Sequence, residues 1–308
     1  MLSRKTSSRK SSSLFATTFG LVFILALSCA AWAQKEPAVR QEMLVSTQWL
    51  ADHLKDPKLV IIHIGEKREE YDQEHIPGAR YVAIDEIMLE HVGAMSELPT
   101  VEKLKQVFED LGVGDDSHVV IYTTAWFPLA ARGYYTLDFL GHGDQSALLD
   151  GGIEQWKLEK KPLSTEPVTP KKAEFTPHVK AEVRAMLDEV EKILKDGESG
   201  KALLVDSRPK RRYVSGHISG ATNVYWQDTL VSKDSPVLLP VADLRKLMES
   251  RGLTPGHKLV TYCEVGQQAS HGYFLAKYLG YDAAMYDGSY YEWNEMKHNP
   301  VVKGEAKK

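Results

Sequence analysis

Cys263 is the residue of this chain whose type and setting best suit it to nucleophilic chemistry. It follows an apolar run at residues 259–262 that is typical of a buried strand, and the spacing of apolar residues after it predicts a helix over residues 272–279. A cysteine between a strand end and a helix start lies in the positive field of unpaired backbone N–H groups, which favours the thiolate. Gly266 lets the intervening loop turn those N–H groups inward. We therefore expect covalent chemistry at Cys263, the alternative being a buried structural cysteine.

The loop after Cys263 would hold an anion on or beside the sulfur. The residues that could present backbone N–H groups there are Glu264, Val265, Gly266, Gln267, Gln268 and Ala269. The direction of the Glu264 side chain stays open. An inward carboxylate would raise the thiol pKa and disfavour an anionic donor, whereas a solvated carboxylate would do neither.

The elements that position this loop occur twice along the chain. In both halves an apolar strand precedes a tyrosine, and a histidine follows that tyrosine by four residues: Tyr71 and His75 in the first half, Tyr213 and His217 in the second. Each half also ends in a similar turn, Asp150-Gly151-Gly152 with Trp156 and Asp287-Gly288-Ser289 with Trp293. A repeat of roughly 140 residues is too long for a solenoid unit and indicates a duplicated domain.

Short apolar strands alternate with amphipathic helices within each half. One such helix carries apolar residues on one face at Val183, Met186, Leu187, Val190, Ile193 and Leu194. This alternation predicts an α/β sandwich with a mostly parallel sheet. Ligands bind such sheets beyond the carboxyl ends of the strands, which is where Cys263 falls.

The N-terminal residues have the pattern of an export signal. The first ten residues contain four basic side chains, an apolar run follows to Trp32, and Ala31-Trp32-Ala33 offers small residues at the two positions that a signal peptidase reads. We expect residues 1–33 to be a signal peptide cut before Gln34, and the protein to be exported to the periplasm. A lipoprotein cut before Cys29 and a retained membrane anchor are the alternatives, and only an uncleaved segment would contact a membrane.

Charge and cysteine content argue against one class of partner and in favour of a reactive thiol. The 308-residue chain has a net charge of −4, and without its first 33 residues it has 34 Lys+Arg against 42 Asp+Glu, a net charge of −8. Nucleic acid is therefore not an expected partner. The two cysteines are Cys29 and Cys263, so removal of the signal would leave Cys263 unpaired, which is unusual in an exported protein and suggests reactivity.

Residues 43–301 resemble the two-domain rhodanese sulfurtransferases. The resemblance is carried by Cys-x-x-Gly-x-x-Ala at Cys263, by His-x-x-Gly-Ala at His75 and His217, by the two closing turns, and by the opening run at residues 45–50. It implies an α/β fold of two tandem rhodanese-like domains, each a mostly parallel sheet flanked by helices. The expected boundaries are 43–160 for an inactive N-terminal domain, 161–180 for a linker and 181–303 for the catalytic domain.

The resemblance also assigns roles to particular residues. Arg212 matches the substrate-binding arginine of the family, and Arg208 has the same planar fork that can bind a sulfonate or carboxylate. Lys210 and Arg211 are expected to be plain surface charge. In the first half, Thr123 stands in place of Cys263 and Glu70 in place of Arg212, so that half lacks both the nucleophile and the anion-binding residue.

The implied reaction moves a sulfane sulfur from thiosulfate or 3-mercaptopyruvate to Cys263, and then from the persulfide to cyanide or a thiol. It requires no metal and no organic cofactor. Glu264 and Val265 match neither the thiosulfate nor the mercaptopyruvate enzymes, so the donor stays open. A non-catalytic persulfide carrier or redox-sensing module is the main alternative. Phosphatases and arsenate reductases of this fold need an arginine at the end of the loop, where residues 268–270 are Gln, Ala and Ser.

Overall fold

The computed structural model describes residues 36–91, 94–124, 127–197, 200–232, 235–296 and 298–305. The signal peptide predicted for residues 1–33, together with its cleavage site, lies outside these residues. Every helix in the described ranges is too short or too polar to span a bilayer.

The first half begins at residue 44. Its strands are β1 (Leu44–Val45), β2 (Leu59–Gly65), β3 (Arg80–Ala83), β4 (Leu89–His91), β5 (Ala94–Glu97), β6 (His118–Tyr122) and β7 (Ser146–Leu149). Its helices are α1 (Thr47–His53), α2 (Arg68–Gln73), α3 (Val101–Asp110), α4 (Pro128–Phe139) and α5 (Gly152–Leu158). Side-chain caps begin two of these helices, because the Ser46 and Thr100 hydroxyls accept backbone N–H bonds from Trp49 and Lys103.

The second half repeats this order from residue 184. Its strands are β8 (Arg184–Ala185), β9 (Ala202–Asp206), β10 (His217–Ile218), β11 (Thr222–Asn223), β12 (Leu230–Ser232), β13 (Ser235–Leu238), β14 (Lys258–Tyr262), β15 (Ala283–Tyr286) and β16 (Val301–Val302). Its helices are α6 (Leu187–Asp196), α7 (Lys210–Ser215), α8 (Val241–Ser250), α9 (Gln267–Tyr278) and α10 (Ser289–Glu295).

The two main sheets have the same topology. Within the described residues their strand orders are β1-β7-β6-β2-β3 and β8-β15-β14-β9-β11, and every neighbouring pair is parallel. The predicted α/β fold, with mostly parallel sheets flanked by helices, is confirmed. The strands β6 and β14 lie at the centre of their sheets, so the residues that follow them emerge at the middle of each carboxyl edge.

The halves share a core along α4 and α9. Aromatic rings pack edge to face across this contact, with ring centroids 5.1 Å apart for Tyr134 and Phe274 and 5.2 Å apart for Tyr135 and Tyr273. Each half also has its own outer core, in which Trp156 or Trp293 is fully buried. A shared core of this kind makes the two halves one packed body.

The paired tyrosines and histidines have structural roles. His75 stacks on Tyr71 with ring centroids 3.9 Å apart, and His217 stacks on Tyr213 at 3.8 Å. In each pair the histidine Nδ1 also lies within hydrogen-bond distance of the tyrosine carbonyl oxygen. The repeated spacing of four residues thus places one ring over the other, and this packing gives His75 and His217 a structural role in their halves.

The segment between the halves packs against the first half. Residues 165–180 form no regular secondary structure, but Phe175 is buried, and the backbone N–H of His178 donates to the Leu140 carbonyl at 2.8 Å. The segment predicted to be a linker, residues 161–180, is therefore packed against the first half rather than a flexible connection.

Candidate active site

Cys263 lies in a loop between the centre of the second sheet and a long helix. It follows the last residue of β14, Tyr262, which pairs with Asp206 at the end of β9, and α9 begins at Gln267. Its side chain is 1% exposed. The structure therefore places Cys263 beyond the carboxyl ends of two neighbouring parallel strands, as expected for the site of an open α/β sheet.

Backbone N–H groups of the loop surround the sulfur of Cys263. The N–H of Gly266 donates to Sγ at 3.1 Å, and the backbone N–H groups of Val265, Gln268 and Ala269 also act to lower the pKa of the thiol. Gly266 has φ 93°, a left-handed conformation that a residue with a Cβ rarely adopts. The loop thus forms a backbone nest for an anionic sulfur, with four of the six predicted loop residues contributing N–H groups.

The pKa of the Cys263 thiol is nevertheless raised. Burial disfavours the charged form, and this effect outweighs the hydrogen bonds from the loop N–H groups, which lower the pKa. The loop N–H groups therefore favour the thiolate as expected, but burial opposes them more strongly and the pKa of the thiol is raised overall. The thiolate is a minority form near neutral pH and increases as the pH rises.

Arg208 is held by protein groups on all sides. Its Nη2 donates to Asp206 Oδ2 at 2.7 Å and to the Gly216 carbonyl at 2.7 Å, and its Nη1 donates to Glu264 Oε2 at 3.0 Å. The Tyr290 ring lies 4.0 Å from its guanidinium carbon, and the side chain is 2% exposed. Burial opposes the charge of Arg208, but hydrogen bonding and attraction to Asp206 raise its pKa overall. Donor binding by Arg208 stays a prediction, and the geometry gives it a positioning role.

Glu264 turns towards Arg208. Its carboxylate forms that ion pair while its side chain remains 44% exposed. The side chain is thus neither free in solvent nor unpaired beside the sulfur, because the guanidinium offsets its charge. The remaining loop side chain of interest, Gln267, donates from Nε2 to the sulfur of Met88 at 3.6 Å, which connects the loop to the first half.

Arg212 occupies the same edge of the sheet. It lies on α7, which follows the end of β9 within four residues, and it is exposed. Among the described residues its guanidinium has no hydrogen-bond or ion-pair partner. Its planar fork is therefore available to an anion arriving at this edge.

The turn that closes the second half contacts Cys263 directly, which the sequence analysis missed. The Cys263 N–H donates to the Ser289 hydroxyl at 3.2 Å, and the Tyr290 N–H donates to the Cys263 carbonyl at 2.9 Å. The one available signal was the difference between Ser289 and its counterpart Gly152 in two otherwise matching turns.

A buried ion pair fastens the same turn to the first half. Arg132 on α4 donates from Nη1 to Asp287 Oδ1 at 2.7 Å, and both side chains are buried. The Leu98 N–H donates to the other carboxylate oxygen at 3.2 Å. Residues of the first half thus fix the closing turn of the second half, and that turn is hydrogen-bonded to the main chain of Cys263.

Two further observations bear on the type of site. In the described ranges, no group of three or more His, Cys, Asp or Glu side chains is arranged to hold a metal ion. A groove of about 700 Å³ lies elsewhere, at the amino end of β9, where Leu194, Ala202, Ser219 and Trp293 are among the residues that line it. If cavity volume alone were used to locate the site, it would therefore indicate this groove rather than the surroundings of Cys263.

Comparison with known proteins agrees with the fold and the repeat. The family profile described as rhodanese-like domain matches residues 46–159 and again residues 186–296. The sulfur carrier protein TtuD of Thermus thermophilus is 34% identical over 286 residues, covering 86% of this chain and 98% of that protein. The thiosulfate sulfurtransferase of Mus musculus is 30% identical over 276 residues, covering 81% of this chain and 91% of that protein.

A solved structure shows the same architecture. The anaerobic ergothioneine biosynthesis enzyme from Chlorobium limicola, in complex with trimethyl histidine, superposes with a TM-score of 0.74. The match covers 85% of this chain and 70% of that chain at 21% identity. At this identity the likeness bears on the fold alone.

Proposed function

The chain belongs to the rhodanese family, and we propose that it is a sulfurtransferase that moves a sulfane sulfur through a persulfide on Cys263. The observation that most supports this is the set of loop N–H groups around Sγ, of which the Gly266 N–H donates to the sulfur at 3.1 Å and the others lower the pKa of the thiol. These groups are fixed before the reaction, so they can stabilise a terminal sulfur anion in the way that an oxyanion hole stabilises oxygen.

In the first step the Cys263 thiolate attacks the outer sulfur of the donor. With thiosulfate, the new bond joins the two sulfurs, the S–S bond of the donor breaks, and sulfite leaves with the electron pair. With 3-mercaptopyruvate, the C–S bond breaks, and the thiol proton ends on the carbon of the departing pyruvate. In both cases Cys263 then carries a persulfide, which is a covalent intermediate that divides the transfer into two steps.

In the second step a thiophilic acceptor attacks the outer sulfur of the persulfide. Cyanide leaves as thiocyanate, and a thiolate leaves as a new persulfide, while the electron pair of the broken S–S bond returns to Cys263. Atoms and charge balance without a metal or an organic cofactor. Because the thiol pKa is raised by burial, sulfur uptake should increase with pH as the thiolate forms.

Arg212 is the residue we assign to binding the anionic donor. It is exposed at the carboxyl edge of the sheet, and a guanidinium can contact two oxygens of a sulfonate or carboxylate at once. The negative charge of Glu264 should weaken the binding of an anionic donor, although its pairing with Arg208 offsets part of that repulsion. Thiosulfate and 3-mercaptopyruvate therefore remain the two donors to compare.

A sulfur carrier without turnover of its own is the second candidate. It is favoured by the burial of Cys263, whose side chain is 1% exposed, and by the similarity to a protein named as a sulfur carrier. A buried persulfide would be protected from small thiols and would be released only to a partner protein that opens the loop.

Mass spectrometry separates these candidates. The protein is incubated with each donor, desalted and weighed, and Cys263→Ser serves as the control. A sulfurtransferase gains the mass of one sulfur atom and loses it when cyanide or a small thiol is added. A carrier keeps that mass in the presence of both acceptors, whereas a wild-type protein that never gains it would overturn both candidates.

We also propose that the protein is exported to the periplasm. The basic start, the apolar run and Ala31-Trp32-Ala33 support this proposal. The test is the intact mass of protein recovered from a periplasmic fraction, which should correspond to a chain that begins at Gln34. Recovery of the full-length chain from the membrane fraction would overturn it.

A further inference from the structure

Ser289 has an unfavourable backbone conformation next to the nucleophile. Its φ is 55°, and among the described residues the other non-glycine residue with positive φ is Lys160. L-residues with a Cβ rarely adopt this left-handed conformation, because the Cβ approaches a backbone oxygen. Such residues persist where the surrounding structure holds them, and they concentrate at functional sites.

The first half contains the matched position. Gly152 stands at the same place in its closing turn and also has φ 55°. The fold therefore requires this conformation in both halves, and glycine satisfies it without strain. A serine in the second half is a departure from the residue that suits the backbone best, so its side chain requires an explanation.

The Ser289 hydroxyl supplies that explanation. It is fully buried, it accepts the Cys263 N–H at 3.2 Å, and it donates to the Tyr286 carbonyl at 2.9 Å. The neighbouring Tyr290 N–H donates to the Cys263 carbonyl at 2.9 Å. The two polar groups of the Cys263 main chain are thus both bonded to the closing turn. No glycine at position 289 could supply the first of these bonds.

We propose that Ser289 is a positioning residue that fixes the Cys263 main chain so that Sγ faces the N–H groups of its own loop. This inference rests on the proposed function, since it assigns Ser289 a part in the reactivity of the same sulfur. Without the hydroxyl, the Cys263 amide loses its acceptor, and the sulfur should spend less time within reach of the Gly266 N–H.

The test uses three variants of the full chain. Ser289→Ala removes the hydroxyl and keeps the strained Cβ, whereas Ser289→Gly removes the hydroxyl and suits the backbone, so at least the glycine variant should fold. Gly152→Ser is the matched control, because it introduces the same side chain at the same φ in the first half. Two readouts are measured: the pH profile of Cys263 alkylation by iodoacetamide, followed by peptide mapping, and the rate of persulfide formation with thiosulfate.

Both Ser289 variants should shift the alkylation profile to higher pH and slow persulfide formation about fivefold, as expected for the loss of one hydrogen bond. Gly152→Ser should leave both readouts unchanged. If Ser289 only stabilises the fold, the two Ser289 variants will unfold at lower temperature with alkylation profiles that overlay the wild type, and that result would overturn the proposal.

The two readouts also separate this inference from the proposed function. Alkylation needs no sulfur donor, so it reports on Ser289 even if the wild type forms no persulfide. An absent persulfide together with a shifted alkylation profile would contradict the proposed function and leave the role of Ser289 standing.

Discussion

Thr123 and Cys263 lie at the same point of two sheets with the same strand order. Each follows the central strand of its sheet, and each is buried. Cys263 has backbone N–H groups directed at its sulfur, whereas the Thr123 hydroxyl has no hydrogen-bond partner among the described residues. The shared fold therefore provides the location of a site, and the loop that follows the strand decides whether that location can do chemistry.

The closing turns of the two halves differ in the same way. Asp150 and Asp287 each accept a backbone N–H from the opposite half, from Leu238 at 3.0 Å and from Leu98 at 3.2 Å. Asp287 also binds Arg132, the fifth residue of α4. The Asp287 carboxylate of the second half is thus neutralised by the Arg132 guanidinium of the first half.

The counterpart of Arg132 carries no charge. His271 is the fifth residue of α9, it is fully buried, and burial lowers its pKa to about 3. Its Nε2 lies 2.7 Å from the Thr229 hydroxyl rather than facing a carboxylate. Burial accordingly raises the pKa of Asp150 to about 6, against the N–H bonds from Leu238 and Gly151 that lower it. At the closing turns, therefore, a cation of the first half neutralises a carboxylate of the second, whereas among the described residues Asp150 has no ion-pair partner.

The largest expected effect tests the division of chemistry between the halves. Cys263→Ser should abolish sulfur transfer, because a hydroxyl cannot form a persulfide. Thr123→Ala, its counterpart, should retain most of the activity. Steady-state transfer from thiosulfate to cyanide measures both, and equal losses in the two variants would show that the first half also takes part.

Asp287→Asn should have the next largest effect, on stability. Removing the carboxylate charge leaves the Arg132 guanidinium buried without it, and breaking a buried ion pair in this way costs about 3–5 kcal/mol. Urea unfolding near neutral pH measures the loss. Asp150→Asn is the matched control, and a similar loss there would mean that the two turns are equivalent after all.

Arg212→Ala tests the difference in anion binding. A charge-assisted hydrogen bond contributes about 1.5–3 kcal/mol, so kcat/KM for thiosulfate should fall roughly tenfold or more. Glu70→Ala, the substitution at the counterpart in the first half, should change it little. The measurement is made at low and high salt, because a direct contact persists at high salt and long-range steering does not. If kcat/KM of the Arg212→Ala variant is unchanged at both salt concentrations, Arg212 does not bind the donor.

The smallest effect concerns Asp150 and pH. Its pKa rises from 3.8 to about 6 on folding, so the protonated folded form contributes stability below the unfolded pKa, and that contribution is lost as the pH rises through about 6. Asp150→Asn should therefore be more stable than the wild type near neutral pH, by on the order of 1 kcal/mol, and should lose this advantage towards about pH 4. The measurement is urea unfolding of both proteins between about pH 4 and pH 7. A stability difference between the variant and the wild type that stays constant over this range would contradict the raised pKa of Asp150.

Much of the fold was predictable because its signals are local. Apolar runs separated by amphipathic segments predict strands and helices, and the recurrence of Tyr71–His75 as Tyr213–His217 predicts a duplicated domain. The position of Cys263 and the turn at Gly266 were also predictable, because both follow from neighbours within a few residues. The predicted domain boundaries, signal peptide and site residues remain predictions.

The sequence by itself thus determined the repeat, the class of fold and the placement of one cysteine at a strand end. Only the tertiary structure decided how that cysteine is held and charged. Arg132 and Asp287 are 155 residues apart in the chain, and Ser289 is 26 residues from Cys263, so no local pattern pairs them. The raised pKa of the thiol has the same origin, because burial depends on every element that packs around the sulfur rather than on the loop that contains it.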